Sequence, residues 1–300
     1  MQRFELLILG SGSALPTNSR NPSAQLLCVA ERFFLIDCGE GTQLQLRKFK
    51  TSFGRINAIF ISHLHGDHFF GLIGLLQSFH LLGRKNPLRL YGPPPLKELI
   101  DVLNKVSDTR LQYPLEFHST QAKTVELIFE DDKVEVYTFP LKHKLDCTGF
   151  LFREKPFPRN ILPEKLKEFG VCHSEIHRLK QGLDVISENG ELIHADVLTR
   201  PGPKPRSYAY CSDTMYHEEL IPLLNNVSVL YHESTFLEDM RERANKTMHS
   251  TAKDAAKIAA QANAGQLILG HFSSRYENPD LFLDEAATLF SNCKIGRAHV

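Results

Sequence analysis

Residues 63–68 read HLHGDH, three histidines and an aspartate within six positions, directly after the apolar run INAIFIS. Clustering imidazoles is costly, because any ring that takes a proton repels its neighbours. A chain that holds these side chains together needs a rigid frame to aim them and a partner that offsets the repulsion. The preceding run is of strand length and rich in Ile and Phe, so the cluster sits at a strand end. In an extended tip, positions i and i+2 point the same way, which lets His63 and His65 clasp one ion. Gly66 permits a sharp turn, after which Asp67 and His68 open the next helix and face a second ion.

The same grammar recurs along the chain. FELLILG, RFFLIDCG, LRLYGP, KVEVYTFPLKH, SYAYCSDT, VSVLYHEST and GQLILGHF are short apolar runs bounded by Gly, Pro or polar turns, and they read as strands. Three of them deliver His143, Asp213 and His271. Strand ends in layered α/β structures are where rigid backbone aims side chains into a common crevice. Seven nitrogen and oxygen donors converging there suit two zinc-like ions, each with three or four protein ligands and a shared water. The Asp213 carboxylate can bridge two cations held about 3.5–4 Å apart, the spacing of two-metal hydrolysis. Helical periodicity runs through DHFFGLIGLLQSFHLLG, PPPLKELIDVLNKV and HSTAKDAAKIAAQA. The expected class is therefore α/β, sheets with helices on their outer faces. His80, His118, His173, His177, His194 and His217 lack donor neighbours at strand ends and read as surface or satisfied core histidines. GSGSALP departs from a dinucleotide-binding loop at Leu15 and reads as a turn.

Composition narrows the partners. Lys+Arg and Asp+Glu both number 35, so nucleic-acid binding would have to come from a local patch. The six cysteines are scattered without a CxxC pair, which excludes a disulfide scaffold and a thiolate zinc site. The first residues read as a strand rather than a signal peptide, and no run approaches the roughly 20 apolar residues of a membrane span. A cytoplasmic protein with no membrane association is expected. A single domain over 1–300 is expected too, interrupted at 152–206 by a segment rich in proline and charge. The last six residues, IGRAHV, match one translated frame of a common sequencing-library adapter, so the true C-terminus is expected to differ; a natural tail is the alternative.

HLHGDH is similar to the HxHxDH signature of the metallo-β-lactamase superfamily, and LIDCGEGT resembles the acidic turn that precedes it. GSGSALPTNSRNPSA resembles the GTxxxxPTxxRN stretch of the ribonuclease Z family, and SDT, HESTF, MHSTA and LGHFSSRY follow in that family's order. The resemblance implies an αββα metallo-β-lactamase sandwich with a protruding substrate-binding arm. It implies a zinc-dependent endoribonuclease that removes the 3′ trailer from precursor tRNA, leaving a tRNA 3′-OH and a trailer 5′-phosphate. By the family pattern one Zn2+ is held by His63, His65, His143 and Asp213, and the other by Asp67, His68, Asp213 and His271. Mn2+ is the alternative metal, and Asp67 is also the family's proton acceptor. Two such ions lower the pKa of a bridging water and give hydroxide at neutral pH.

We take His249, oriented by Glu233, as the donor of the leaving oxygen's proton, because a carboxylate partner favours a protonated imidazole. The alternative is that His249 caps the helix after it, a task open equally to Ser250 or Thr251. By resemblance, 152–206 is a tRNA-binding arm that serves the other subunit of a homodimer. Residues 153–206 hold ten Lys/Arg against eight Asp/Glu, so the arm is no general magnet for RNA. Its end clusters, with Arg200, Lys204 and Arg206, are expected to grip phosphates, and Arg20 and Asn21 to contact the RNA 3′ region. The competing function is a small-molecule phosphodiesterase or arylsulfatase-like hydrolase, which would share every ligand but not need the arm.

Overall fold

The apolar runs of the sequence become strands that are continuous rather than alternating, because most are covered on both faces. The computed structural model describes residues 2–297, which fall into two units: one of residues up to Arg153 and from Ser207 onward, the other Glu154–Arg206. Of the six terminal residues, 298–300 lie outside the described residues; Ile295 sits in a strand and the Gly296 N–H donates to Leu269 O.

The first unit holds two sheets. One runs in chain order through β1 (Phe4–Gly10), β2 (Ala24–Val29), β3 (Arg32–Cys38), β4 (Ile56–Phe60), β5 (Leu88–Gly92) and β6 (Leu115–Ser119). The other has seven strands: β7 (Glu126–Glu130), β8 (Val134–Leu141), β9 (Cys147–Glu154), β14 (Ser207–Cys211), β15 (Val229–Glu233), β16 (Leu267–Gly270) and β17 (Cys293–Ile295). From β3 to β6, and again from β14 to β17, neighbouring strands are parallel. The two-residue period of β3 sorts its side chains. Phe33 and Leu35 pack with the helices Leu72–Leu81 and Pro95–Val106, while Phe34 and Ile36 pack against the second sheet. On the second sheet Tyr231 of β15 faces that shared layer, and Leu230 joins the helices Ala252–Gln261 and Asp280–Ala287. The result is helix, sheet, sheet, helix, as the sequence implied.

Aromatic residues fill the layer between the sheets: the Phe60 ring stacks on Tyr91 at 4.7 Å and meets Phe152 edge-on at 5.4 Å. Two local expectations change. The helical pattern over 67–83 divides into Gly66–Phe69 and Leu72–Leu81. At the break, Gly71 donates its N–H to Cys38 O, and a Cβ there would lie 2.2 Å from Gly39 O, so the backbone meets β3's end too closely to carry a side chain. In this unit β2, β6, β7, β9 and β17 have no counterpart among the strands read from sequence.

The second unit, Glu154–Arg206, contains β10 (Asn160–Ile161), β11 (Val185–Ile186), β12 (Leu192–Ile193) and β13 (Thr199–Arg200), paired as β10–β13 and β11–β12. It has a small core of its own around Leu166, Leu179, Val185 and Leu198. Its two ends are tied by Arg206, whose guanidinium and backbone N–H donate to the Glu154 carboxylate.

Candidate metal centre

The carboxyl ends of β4, β8, β14, β15 and β16 meet at one edge of the sandwich. His63 and His65 follow β4, and the turn at Gly66 carries Asp67 and His68 onto a short helix. His143 follows β8, Asp213 follows β14 and His271 follows β16. These seven residues lie together. The Nε2 of His63 and the Nε2 of His143 stand 3.0 and 3.1 Å from Nδ1 of His65. Asp213 Oδ2 faces this triplet, 3.5 Å from His63 and 3.7 Å from His143. Its other oxygen, Oδ1, lies 3.2 Å from His68 Nε2 and 3.1 Å from His271 Nε2, and Asp67 Oδ2 is 3.3 Å from that same His271 nitrogen.

The outward ring nitrogens explain what the inward ones carry. Asp37 is fully buried and accepts the Nδ1–H of His68 at 2.7 Å and the hydroxyls of Tyr210 and Ser62 at 2.7 and 2.9 Å. Having given its proton to Asp37, the Ser62 hydroxyl can only accept at 3.0 Å from His63 Nδ1. Glu233 is arranged in the same way: it accepts the hydroxyl of Thr235 at 2.7 Å, and that oxygen accepts from His271 Nδ1 at 2.8 Å. His143 Nδ1–H donates to Met248 O at 3.1 Å. With their protons committed outward, Nε2 of His63, His68, His143 and His271 keep lone pairs that converge. Converging lone pairs beside two carboxylates fit divalent cations and little else.

Electrostatics agree. Burial pushes His63, His65 and His143 down, His143 to about 4, so they stay neutral and keep lone pairs a cation could use. Burial also acts against a proton on His68, yet the carboxylates of Asp213, Asp67 and Asp37 hold it well above its ordinary value, so without a cation a proton takes the Nε2 lone pair and a bound cation would have to displace it. Asp213, although desolvated, is held well below the usual carboxylate range by His271, His68 and His63. The centre thus favours positive charge between its carboxylates. The backbone is bent to make it: Asp37, Met248 and His271 all sit at positive φ (54°, 58° and 60°), conformations that non-glycine residues adopt rarely and often at functional sites. The residues His65, Asp67, Asp213, His249 and His271 line a cavity of about 470 Å3.

Known proteins give this arrangement a family. A protein called ribonuclease Z from Cytophaga hutchinsonii is 50% identical over 295 residues, covering 98% of this chain and 94% of that protein. Ribonuclease Z of Bacteroides fragilis is 43% identical over 300 residues, covering 100% of this chain and 99% of the relative. The chain belongs to the ribonuclease Z family. Among solved structures, the short form of human tRNase Z superposes with a TM-score of 0.67 at 28% identity, covering 90% of this chain and 93% of that one. The metallo-β-lactamase fold protein YhfI from Bacillus subtilis, at 18% identity, shares the fold with a TM-score of 0.69 over 98% of this chain and 97% of its own. Residues 4–156 also match the family model described as Anti-Pycsar protein Apyc1; the matched stretch contains five of the seven donors but neither Asp213 nor His271.

The remaining residues expected at the site of this ribonuclease Z family member are distributed as follows. His249 donates Nδ1–H to Glu233 Oε1 at 2.7 Å. Burial lowers the His249 pKa, but the Glu233 carboxylate outweighs it and raises the ring to about 9. The capping role belongs to Thr251, which forms a capping box with Asp254, and not to His249. Arg20 is half-buried and donates to Tyr276 O at 2.6 Å, while Asn21 O accepts the Gly12 N–H at 2.9 Å. Their loop reaches the centre directly, since the Ala14 N–H donates to Asp67 Oδ2 at 2.7 Å. On the second unit Arg200 and Lys204 are exposed, whereas Arg206 is engaged by Glu154. His217 differs from expectation: it is buried, and neither ring nitrogen has a hydrogen-bond partner among the described residues. Sequence reasoning left Asp37 and Thr235 without a role; the signal for Asp37 was its place at the end of RFFLIDCG, the same strand-end position that marks the candidate donors.

Proposed function

We infer that this chain is a metal-dependent endoribonuclease that removes the 3′ trailer from precursor tRNA, leaving a tRNA 3′-OH and a trailer with a 5′-phosphate. Within a ribonuclease Z family member, the observation that carries the reading is the position of Asp213, with one oxygen toward His63, His65 and His143 and the other toward Asp67, His68 and His271. Two divalent ions per chain, zinc by the character of the donors with manganese as the alternative, supply Lewis-acid activation of a water and offset charge on the phosphoryl oxygens. His63, His65, His143 and Asp213 would hold one ion; Asp67, His68, His271 and Asp213 would hold the other.

The chain's own side chains then handle protons. Asp67 accepts one at its carboxylate as water attacks phosphorus. As the bond from phosphorus to the ribose 3′ oxygen breaks, His249 delivers a proton from Nε2 to that oxygen. Glu233 keeps Nδ1 of the same ring in place. Arg20 and Asn21 take the RNA 3′ region, and Arg200 and Lys204 on the unit Glu154–Arg206 take backbone phosphates. A homodimer in the cytoplasm is the expected state; among the described residues no helix is long and apolar enough to cross a membrane.

An end-labelled precursor tRNA with a 3′ trailer tests the reading. A single metal-dependent cut after the discriminator nucleotide is expected. A chain lacking 154–206 should still hydrolyse a small chromogenic diester while losing precursor cleavage. If the intact protein spares the precursor and hydrolyses the diester, the smaller-substrate hydrolase is the correct reading.

A further inference from the structure

The cavity over the metal centre, which His65, Asp67, His249 and His271 line, also has Leu15 and Phe70 on its wall. Both of these apolar side chains are largely open to solvent, 63% and 67% exposed, while Phe69 beside them in the chain is buried. A phenyl ring left in water forgoes the free energy of burial. Here the exposed ring stands beside the groups that do the chemistry.

Both residues are held in place. The Phe70 N–H donates to Gly66 O at 2.9 Å, and the ring meets Phe69 edge-on at 5.0 Å. A Cβ on Gly66 would lie 2.2 Å from Phe70 Cε2, so the glycine between His65 and Asp67 is what lets the ring lie against that turn. Leu15 donates its N–H to Ser13 O at 2.7 Å across Ala14, whose φ is 62°. A three-residue turn with positive φ at its centre is rare and strained. The same turn aims the Ala14 N–H at Asp67 Oδ2, 2.7 Å away. Leu15 and Phe70 are thus both fixed relative to Asp67.

Charge narrows what this wall can take. Glu40 lines the same cavity as an exposed carboxylate and disfavours a phosphate there, and the scissile phosphate already has its place at the metals. The uncharged part of a nucleotide is its base, whose flat face suits an exposed ring; single-stranded RNA is commonly held by stacking bases on aromatic side chains. The turn at Leu15 runs on into Arg20 and Asn21, and His249 in this cavity serves the ribose 3′ oxygen, so the nucleotide concerned is the one that keeps that oxygen. We propose that Phe70, with Leu15 on the same wall, stacks on the base of the discriminator nucleotide and so holds its 3′ oxygen toward His249. The proposal rests on the endonuclease reading. Phe70 also borders an apolar groove with Ile73, Val102 and Leu103, so a second copy of the chain is the competing occupant.

The chain has no tryptophan, so Phe70→Trp introduces a single reporter indole. Precursor tRNA in saturating excess should quench its fluorescence, as should a precursor abasic at the first trailer nucleotide; a precursor abasic at the discriminator should not. In cleavage assays Phe70→Ala and Phe70→Leu should each raise KM for the precursor about tenfold, the lower part of the range for one base–aromatic stack, and Phe70→Trp should restore it. These two variants keep the test decisive should Phe70→Trp fold poorly. The proposal is overturned if the abasic discriminator quenches as well as the intact one, or if Phe70→Leu cleaves the precursor with the parent's KM. It is overturned equally if the indole responds to protein concentration rather than to RNA, which would put a second copy on the ring. Zinc affinity by chelator competition is read alongside: if Phe70→Leu loses zinc in step with its rise in KM, the ring supports the helix of Asp67 and His68 and not RNA. Absence of precursor cleavage by the intact protein would instead defeat the endonuclease reading.

Discussion

Replacing Asp37 with Asn should loosen metal binding without touching any ligand. The Asp37 carboxylate accepts from Ser62 N (2.8 Å), Ser62 Oγ (2.9 Å), Tyr210 Oη (2.7 Å) and His68 Nδ1 (2.7 Å). An amide accepts on one side only, and its NH2 must donate on the other. Three of the four donors converge on Oδ2, so an NH2 in that position confronts donors. Turned so that its NH2 takes the Oδ1 position, the amide opposes only the Ser62 N–H; turned the other way, it donates to His68 Nδ1, which moves the ring proton to Nε2. That proton then points at Asp213 Oδ1, 3.2 Å away, where the lone pair should face a cation. Loss of such an outer hydrogen bond typically weakens metal binding about 10–100-fold, or about 1.4–2.7 kcal/mol, and the mismatched buried donors add about 1–3 kcal/mol of lost stability. The backbone is no confounder, because Asp37 has φ of 54°, a conformation that Asn adopts readily. Zinc affinity measured by competition with a chromophoric chelator checks the prediction. An Asp37→Asn protein that is folded and binds zinc as tightly as the parent would refute the idea that Asp37 sets the tautomer of His68.

Three further outcomes follow from the geometry. His249→Ala should slow precursor cleavage by about 10²–10⁴-fold and slow a p-nitrophenyl diester far less, since a good leaving group needs no proton; equal losses on both substrates would remove His249 from the donor role. His217 is pushed down to about 4 from its ordinary 6.5 by burial, with Lys142 and His232 adding to the effect and Glu219 opposing it. Between those values the unfolded chain binds a proton that the folded chain refuses, so stability should fall as pH drops from 6.5 to 4, by up to about 3 kcal/mol. His217→Asn should flatten that part of a denaturation profile, and an unchanged profile would contradict the assignment. Phe60→Ala, in the layer between the sheets, should cost about 3–5 kcal/mol, read from urea unfolding of the chelated protein.

The convergence of the seven donors was legible because each stands at or just after the end of an apolar run, so one local rule brings all seven to one edge. Their supports were not. Thr235 matters because its hydroxyl passes the hold of Glu233 to His271, 36 positions away, and no spacing in the sequence reports that. The Ala14 N–H on Asp67 is a backbone contact across 53 positions and leaves no residue-type trace. β9 was missed because CTGFLFRE carries a glycine; packing requires it, as a Cβ on Gly149 would lie 2.3 Å from the Phe139 ring. β6 and β7 are edge strands with exposed positions, where burial imposes little pattern. Arg206 read as a free phosphate contact because its ion-pair partner, Glu154, lies 52 positions earlier in the chain.

The central claim is that one carboxylate joins two cation sites into a single centre. Metal content by mass spectrometry, taken on the parent protein, on His65→Ala and on Asp213→Ala, tests it most directly. The parent should carry two zinc ions per chain. His65→Ala should keep the ion on the Asp67–His68–His271 side, and Asp213→Ala should lose both ions and precursor cleavage with them. An Asp213→Ala protein that still holds two ions, or a parent that holds only one at saturation, would contradict the account.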